Sequence, residues 1–217
     1  MNLNEYQLFI KNTFDGLKRK SKDDMLYCIP IYGDHDNLCG YLIPIIQEYP
    51  IALPECAAIF AKWRNENPSM SGNEFIATTE GTEKWLRDLV INRDDRILFL
   101  IFSVDGTKIG HIGYSSFQFE DKSCEVDAVL RGEKLILPGM MTFALRALIN
   151  WGLKELQLMV IRLRVFSDNV EAIDFYKRNC FYIEEENRPV VHGSKKTYTV
   201  MRLMADEWKE KIGGKGC

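Results

Sequence analysis

Several functional classes are excluded by what this sequence lacks. None of its 6 cysteines lies in a CxxC pair, and its 3 histidines (His35, His111 and His192) are far apart. Neither pattern meets the spacing of a zinc site, so no metal is expected. The wide cysteine spacing reads as free, mostly buried thiols in a reducing compartment. Long apolar runs are missing too. No unbroken one is longer than Ile97–Phe102, and Leu158–Phe166 is interrupted by Arg162 and Arg164. A bilayer span needs ~18 residues, so no membrane partner is expected. Met1–Lys11 is polar and mixed, without a basic-then-apolar leader, which points to a cytoplasmic protein. Positive charge is not in excess: 28 Lys and Arg stand against 31 Asp and Glu, a net charge of −3. That argues against a nucleic-acid partner held by bulk charge. Internal repeats and low-complexity linkers are absent.

What is present fits a soluble globular chain. Its 217 residues are 46% hydrophobic and 27% charged. Such a length allows one domain with an extension or two small ones, with a core large enough to need no staples. Leu3–Leu17 reads as a weak helix, with Lys18–Lys22 as its solvated basic end. Tyr27–Tyr32 and Gly40–Ile46 flank the turn cluster Gly33–Asn37 and predict a hairpin. Glu55–Asn65 follows Pro54 as a helix. Thr79–Val90 is a second, with Trp85, Leu86 and Leu89 on one face.

The period then changes. Ile97–Val104, Thr107–Phe119 and Ser123–Leu130 read as hairpin-connected strands, with Asp105-Gly106 as a turn. Pro138–Glu155 carries Met141, Ala144, Leu145, Leu148 and Ile149 on one helical stripe. Leu158–Phe166 alternates as a strand. Asp168 and Asn169 are cap candidates, with Glu171 completing an Asp-x-x-Glu box before the helix Val170–Arg178. Phe181–Glu185 and Thr197–Met204 close the series as strands. Strand 123–130, helix 138–155 and strand 158–166 form a right-handed parallel crossover. The fold class expected is therefore α/β (α+β): a mixed, mostly antiparallel sheet, one parallel βαβ unit, and helices on both faces.

This order of elements resembles the GNAT acetyltransferases. Three stretches carry the resemblance. Val165–Phe181 is similar to the family's strand, Asn-x-x-Ala-x-x-x-Tyr helix and closing Gly-Phe, with Cys180 in the glycine's place. Pro138–Thr142 looks like the phosphate-binding helix start. Lys62-Trp63-Arg64-Asn65 looks like the end of the first helix in the ribosomal-protein and sugar-nucleotide branches. One departure stands out. The family's loop usually reads Arg/Gln-x-x-Gly-x-Gly/Ala, whereas here Lys134 and Leu137 fall on the first two of those positions and Arg131-Gly132 comes earlier. The resemblance implies residues 1–40 as a front extension, 41–207 as the acetyltransferase domain, and 208–217 as a flexible tail.

The resemblance also implies acetyl-CoA as donor and a site for it. Cofactor contacts then fall on Val129, Leu130, Arg131, Leu137, Gly139, Met140, Met141, Asn169, Ala172 and Tyr176. A helix start offers unpaired N–H groups to a pyrophosphate, and a glycine lets the backbone come close. The family's carbonyl-binding amide falls near Val129 or Leu130, where a bulge is common. Tyr176 matches the tyrosine beside the coenzyme sulfur, able to donate to the departing thiolate. For a general base, alternation puts Glu125, Asp127 and Val129 on one strand face. Glu125 ranks first by resemblance, Asp127 second, and His111 is an alternative because its pKa lies nearest neutral. A partly neutral amine needs no strong base at all.

Three functions follow. The first is direct transfer of acetyl to an amino sugar nucleotide in a ternary complex, with Arg64 and Asn65 on the acceptor side. The second is acetylation of a protein N-terminus, as in the ribosomal-protein branch. The third is a non-catalytic acyl-CoA-binding module. A monomer or a homodimer is compatible with each.

Overall fold

The computed structural model describes residues 1–19, 27–68, 76–133, 138–190 and 196–213. They form α1 (Leu3–Lys18), β1 (Ile29–Tyr32), β2 (Leu38–Pro44), α2 (Tyr49–Ala52), α3 (Cys56–Glu66), α4 (Thr79–Leu86) and β3 (Ile97–Ser103). Then come β4 (Lys108–Gln118), β5 (Ser123–Arg131), α5 (Met140–Glu155), β6 (Val160–Phe166), α6 (Val170–Arg178), β7 (Tyr182–Pro189), β8 (Thr197–Met204) and α7 (Ala205–Gly213). Among these residues 8 strands make one sheet in the order β1-β2-β3-β4-β5-β6-β8-β7. The β5–β6 pair is parallel, and the pairs on either side of it are antiparallel. This is the mixed sheet expected from the element order.

The apolar run at residue 97 becomes a strand buried on both faces. Ile97, Phe99 and Ile101 enter one core cluster, while Leu98 and Leu100 enter the other. Alternate side chains of a strand point to opposite faces, so both faces must be covered by helices. One cluster gathers side chains of α1, α5 and α7 (Phe14, Leu145 and Trp208 among them). The other gathers side chains of α2, α3 and α4 (Tyr49, Phe60 and Leu86).

The front segment belongs to this core. Asn2 and Glu5 form a reciprocal capping box that starts α1. Tyr6, Ile10, Phe14 and Leu17 then bury one helical stripe. Each large apolar side chain so buried stabilises the fold by roughly 1.5–3 kcal/mol. A division at residue 40 runs through β2, which pairs with β1 before it and β3 after it.

Lys18, expected in a solvated basic end, is 2% exposed. Its ammonium donates to the carbonyls of Val90 (3.1 Å), Ile91 (3.4 Å) and Arg93. Burial pushes its pKa down to about 8. Val90 and Ile91 end a π-helical turn, Arg87–Ile91, that follows α4. The wider turn shifts the helical phase, which leaves Leu89 46% exposed while Leu86 stays buried.

Other expectations are corrected at element ends. α5 begins at Met140 rather than Pro138, because Gly139 holds a left-handed φ of 85° that cannot continue the helix. Asn169, not Asp168, caps α6: its side chain accepts the Ala172 N–H at 3.1 Å. β7 runs on to Pro189, beyond the expected Glu185. Residues 205–213 form α7 rather than a loose tail, and Trp208 donates to the Asn150 amide oxygen at 2.8 Å. Cys56 and Cys124 are buried free thiols and Cys28 is an exposed one, whereas Cys180 is disulfide-bonded. Cys180 also holds a left-handed φ of 67°, which accounts for the family's preference for glycine there. Lys20, Lys22, Lys134, Leu137, His192 and Gly214–Cys217 lie outside the described residues.

Candidate active site

The site opens where two parallel strands part. β5 and β6 pair only through Ser123–Val160, Cys124–Ile161 and Glu125–Arg162. β5 continues to Arg131 and β6 to Phe166 without further pairing to each other, so a cleft opens between their C-terminal halves. In open α/β sheets such a carboxyl-end crevice is where ligands bind.

A bulge turns β5 at the mouth of this cleft. On β4, His111 and Gly113 are two residues apart; their partners Leu130 and Asp127 are three apart. Ala128, at φ 49°, takes up the extra residue. An inserted residue reverses the alternation beyond it. Val129 therefore packs with Cys124 and Val126, whereas Ala128 and Leu130 pack toward α3 and α4. The expected face of Glu125, Asp127 and Val129 is broken at its last member.

Two cavities meet at the bulge. One, of about 430 Å³, is lined by Val129, Leu130, Arg131, Gly139, Met140, Met141, Asn169, Ala172 and Tyr176, among others. These are the residues expected to contact the donor, apart from Leu137. The start of α5 faces this cavity, and no side chain caps it. Its first-turn N–H groups therefore lack intrahelical acceptors and suit an anion such as a pyrophosphate. Arg178 and Asn67 also line this cavity.

The other cavity, of about 360 Å³, shares Val129, Leu130, Asn169, Ala172 and Tyr176 with the first. Its remaining wall comes from α3, α4, β4, β5, β6 and β8. Arg64 (6.0 Å) and Arg96 (5.3 Å) both lie over the Trp85 ring. Arg96 pairs with Asp127 at 2.6 Å, and Arg164 pairs with Glu125 at 2.7 Å. Arg164 also lies over the Tyr198 ring at 5.9 Å. Phe166 stacks on Tyr198 at 4.8 Å.

The expected catalytic side chains are all here, in different electrostatic states. Tyr176 lines both cavities. Burial pushes its phenol well above the ordinary tyrosine value, so it keeps its proton as a hydrogen-bond donor. His111 is walled in by Phe60 at 4.5 Å, with Trp63 and Trp85 beyond. Its pKa is pushed down to about 4, first by burial, so it is neutral at physiological pH. Its Nδ1 lies 2.6 Å from the Ala128 carbonyl oxygen. Because a carbonyl only accepts, Nδ1 carries the proton. Asp127 is engaged twice, accepting the Ala128 N–H at 2.8 Å as well as pairing with Arg96.

Trp63-Arg64-Asn65 now divides into three tasks. Trp63 is buried against Gly132 and donates to Glu133 at 3.1 Å, anchoring the strand end beside the first cavity. Arg64 reaches the second cavity. Asn65 does not line it: its amide accepts from the Ala77 N–H (2.8 Å) and donates to the Ala77 carbonyl (2.9 Å). Sequence reasoning missed Trp85, Arg96, Arg164 and Tyr198 as site residues. Only Arg164 left a signal, since the parallel crossover sets it on the Glu125 face of β6.

Comparison with known proteins agrees with this geometry. The family model described as the acetyltransferase (GNAT) domain matches residues 50–181, more than half of the chain. No curated protein matches the chain. Among solved structures, the ribosomal L7/L12 α-N-protein acetyltransferase RimL superposes with a TM-score of 0.67 at 17% identity, over 87% of this chain and 99% of that one. FdhC, a nucleotide-linked sugar GNAT, superposes at 0.63 and 15% identity, over 85% and 92%. Spermidine N-acetyltransferase from Vibrio cholerae, in complex with CoA and spermine, superposes at 0.60 and 18%, over 72% and 94%. At these identities the likeness speaks for the fold. The match to the family model extends to the chemistry: this chain belongs to the GNAT family and is an N-acetyltransferase that uses acetyl-CoA.

Proposed function

We propose that the acceptor is the primary amine of an anionic amino sugar, an amino sugar nucleotide above all, acetylated by direct attack within a ternary complex in the cytoplasm. The observation that carries this reading is the make-up of the second cavity. Three arginines (Arg64, Arg96 and Arg164) face two carboxylates there, among the rings of Trp85, Phe166 and Tyr198. Both carboxylates are already paired with arginine. Planar arginine forks suit phosphates, and planar rings suit a base or a sugar face. A polyamine would meet like charge instead.

The chain's own groups then have definite tasks. The Val129 amide, at the bulge, donates to the acetyl carbonyl oxygen as charge develops there. The Tyr176 hydroxyl donates to the departing sulfur. Glu125 stands at the cavity wall as the proton acceptor, directly or through water. The amine needs only a weak base, since even an α-amino group titrates at roughly 7.7–8.0. Acetyl-CoA supplies the activated acyl group. Arg131 and the α5 start hold its phosphates.

A thiol-release assay with acetyl-CoA against amino sugar nucleotides, peptide N-termini and polyamines tests this. Turnover of amino sugar nucleotides with little on polyamines is expected. Turnover of peptides alone would replace this reading with N-terminal protein acetylation. Turnover of polyamines alone would refute the charge argument. CoA should raise the melting temperature throughout, as a ligand of the folded state.

A further inference from the structure

Both backbone polar groups of Ala128 are tied down, and neither tie has a task in the chemistry above. Ala128 sits in the left-handed region at φ 49°, where residues other than glycine are strained. Strain of this kind persists only where its surroundings enforce it. The Ala128 N–H donates to Asp127 Oδ1 at 2.8 Å, and Asp127 Oδ2 is held by Arg96 at 2.6 Å. At the other end the His111 Nδ1–H donates to the Ala128 carbonyl at 2.6 Å. Trp85 stacks near both anchors, 5.3 Å from the Arg96 guanidinium and 6.4 Å from the His111 ring. The peptide from Ala128 to Val129 is trans, and a planar trans peptide sets its N–H opposite its C=O. Fixing the Ala128 carbonyl on His111 therefore fixes the direction of the Val129 N–H, away from His111.

We infer that His111 and Asp127 are positioning residues, a clamp that holds the bulge so that the Val129 amide meets the acetyl carbonyl oxygen. The inference rests on the reading of Val129 as the oxyanion donor. It also removes both residues from the list of bases. His111 faces Arg64, Arg96 and Asp127, and burial among Phe60, Trp63 and Trp85 holds its pKa at about 4, too low for its second nitrogen to serve as the base. Asp127 has both carboxylate oxygens committed.

The test uses the full chain, with bound acetyl-CoA carrying an isotope-labelled carbonyl. Infrared spectroscopy reads the hydrogen bond to that carbonyl directly, alongside kcat and KM. In the native protein the bound carbonyl stretch should be downshifted from that of free acetyl-CoA. H111L should lose most of that downshift, with kcat falling about 10- to 100-fold and CoA affinity within about threefold. H111N, which keeps a donor at the Nδ1 position, should restore both. Absence of a downshift in the native protein would overturn the oxyanion reading itself. A native downshift that survives H111L, or that H111N fails to restore, would overturn the clamp alone. If H111L does not fold, D127A takes its place. Loss of the downshift supports the clamp, whereas a lower kcat with an unchanged downshift would make Asp127 a base and overturn it.

Discussion

The cavities proposed for donor and acceptor adjoin across Tyr176 and the bulge, yet they are made of different materials. The donor side takes its polar surface from backbone, at the uncapped start of α5 beyond the left-handed Gly139. The acceptor side takes its polar surface from side chains, with arginines paired to carboxylates and stacked on rings. Backbone N–H groups at a helix start recognise any phosphate of the right reach. Side-chain constellations recognise one shape and charge pattern. A family with one donor and many acceptors would be expected to divide its site in this way.

That contrast can be broken by substitution. The largest effect is expected where the cavities meet. Tyr176→Phe should lower kcat by about 100-fold or more while leaving the melting temperature and CoA affinity nearly unchanged. Steady-state kinetics with a CoA titration checks this. An unchanged kcat would reduce Tyr176 to a packing residue.

Next comes the pH dependence of stability on the acceptor side. The folded chain keeps His111 neutral down to about pH 4, whereas the unfolded chain binds that proton near pH 6.5. Between those values the unfolded state takes the proton first, so stability should fall as pH falls through this window. The loss from this one group is on the order of 3 kcal/mol. Arg64, Arg96 and Asp127 face the same ring. Denaturant unfolding from pH 7 to 4 should show the loss, and H111N should lack most of it.

A paired experiment sharpens the contrast directly. Arg96→Ala should raise the acceptor KM about tenfold and spare CoA affinity. Gly139→Val should do the reverse, because a side chain at φ 85° is strained and its Cβ would lie 3.2 Å from the Phe143 ring. If both variants move both constants together, the two cavities do not act as separate halves. The smallest effect is expected for Asn65→Ala. Among the described residues its bonds reach the Ala77 backbone alone, so it should cost about 1 kcal/mol of stability and leave the acceptor KM unchanged.

Much of the fold was legible because its signals are local. Val170–Arg178 and Thr197–Met204 coincide with the observed α6 and β8. The lining of the cavity proposed for the donor was legible through the family's motifs, since helix start, cap and tyrosine each lie within one short stretch. The acceptor cavity was not, because Trp85, Arg96, Glu125, Arg164 and Tyr198 come from five separate stretches of the chain. Trp85 looked like one more member of an apolar helix face. Arg96 looked like a charge before a strand. The bulge left no mark in the alternation of β5, so Val129 was set on the wrong face.

The sequence by itself determined the order of elements, which rests on local periodicity, and it pointed to the family through the resemblance of short motifs. The tertiary structure decided the rest. It decided that the first 40 residues share the core, that Lys18 is buried on a π turn, and that Glu125 and Asp127 are each held by an arginine. It also decided that His111 holds a backbone carbonyl. Each of these depends on contacts between groups distant in the chain, and a charge or a ring acquires its role only from what the fold sets beside it.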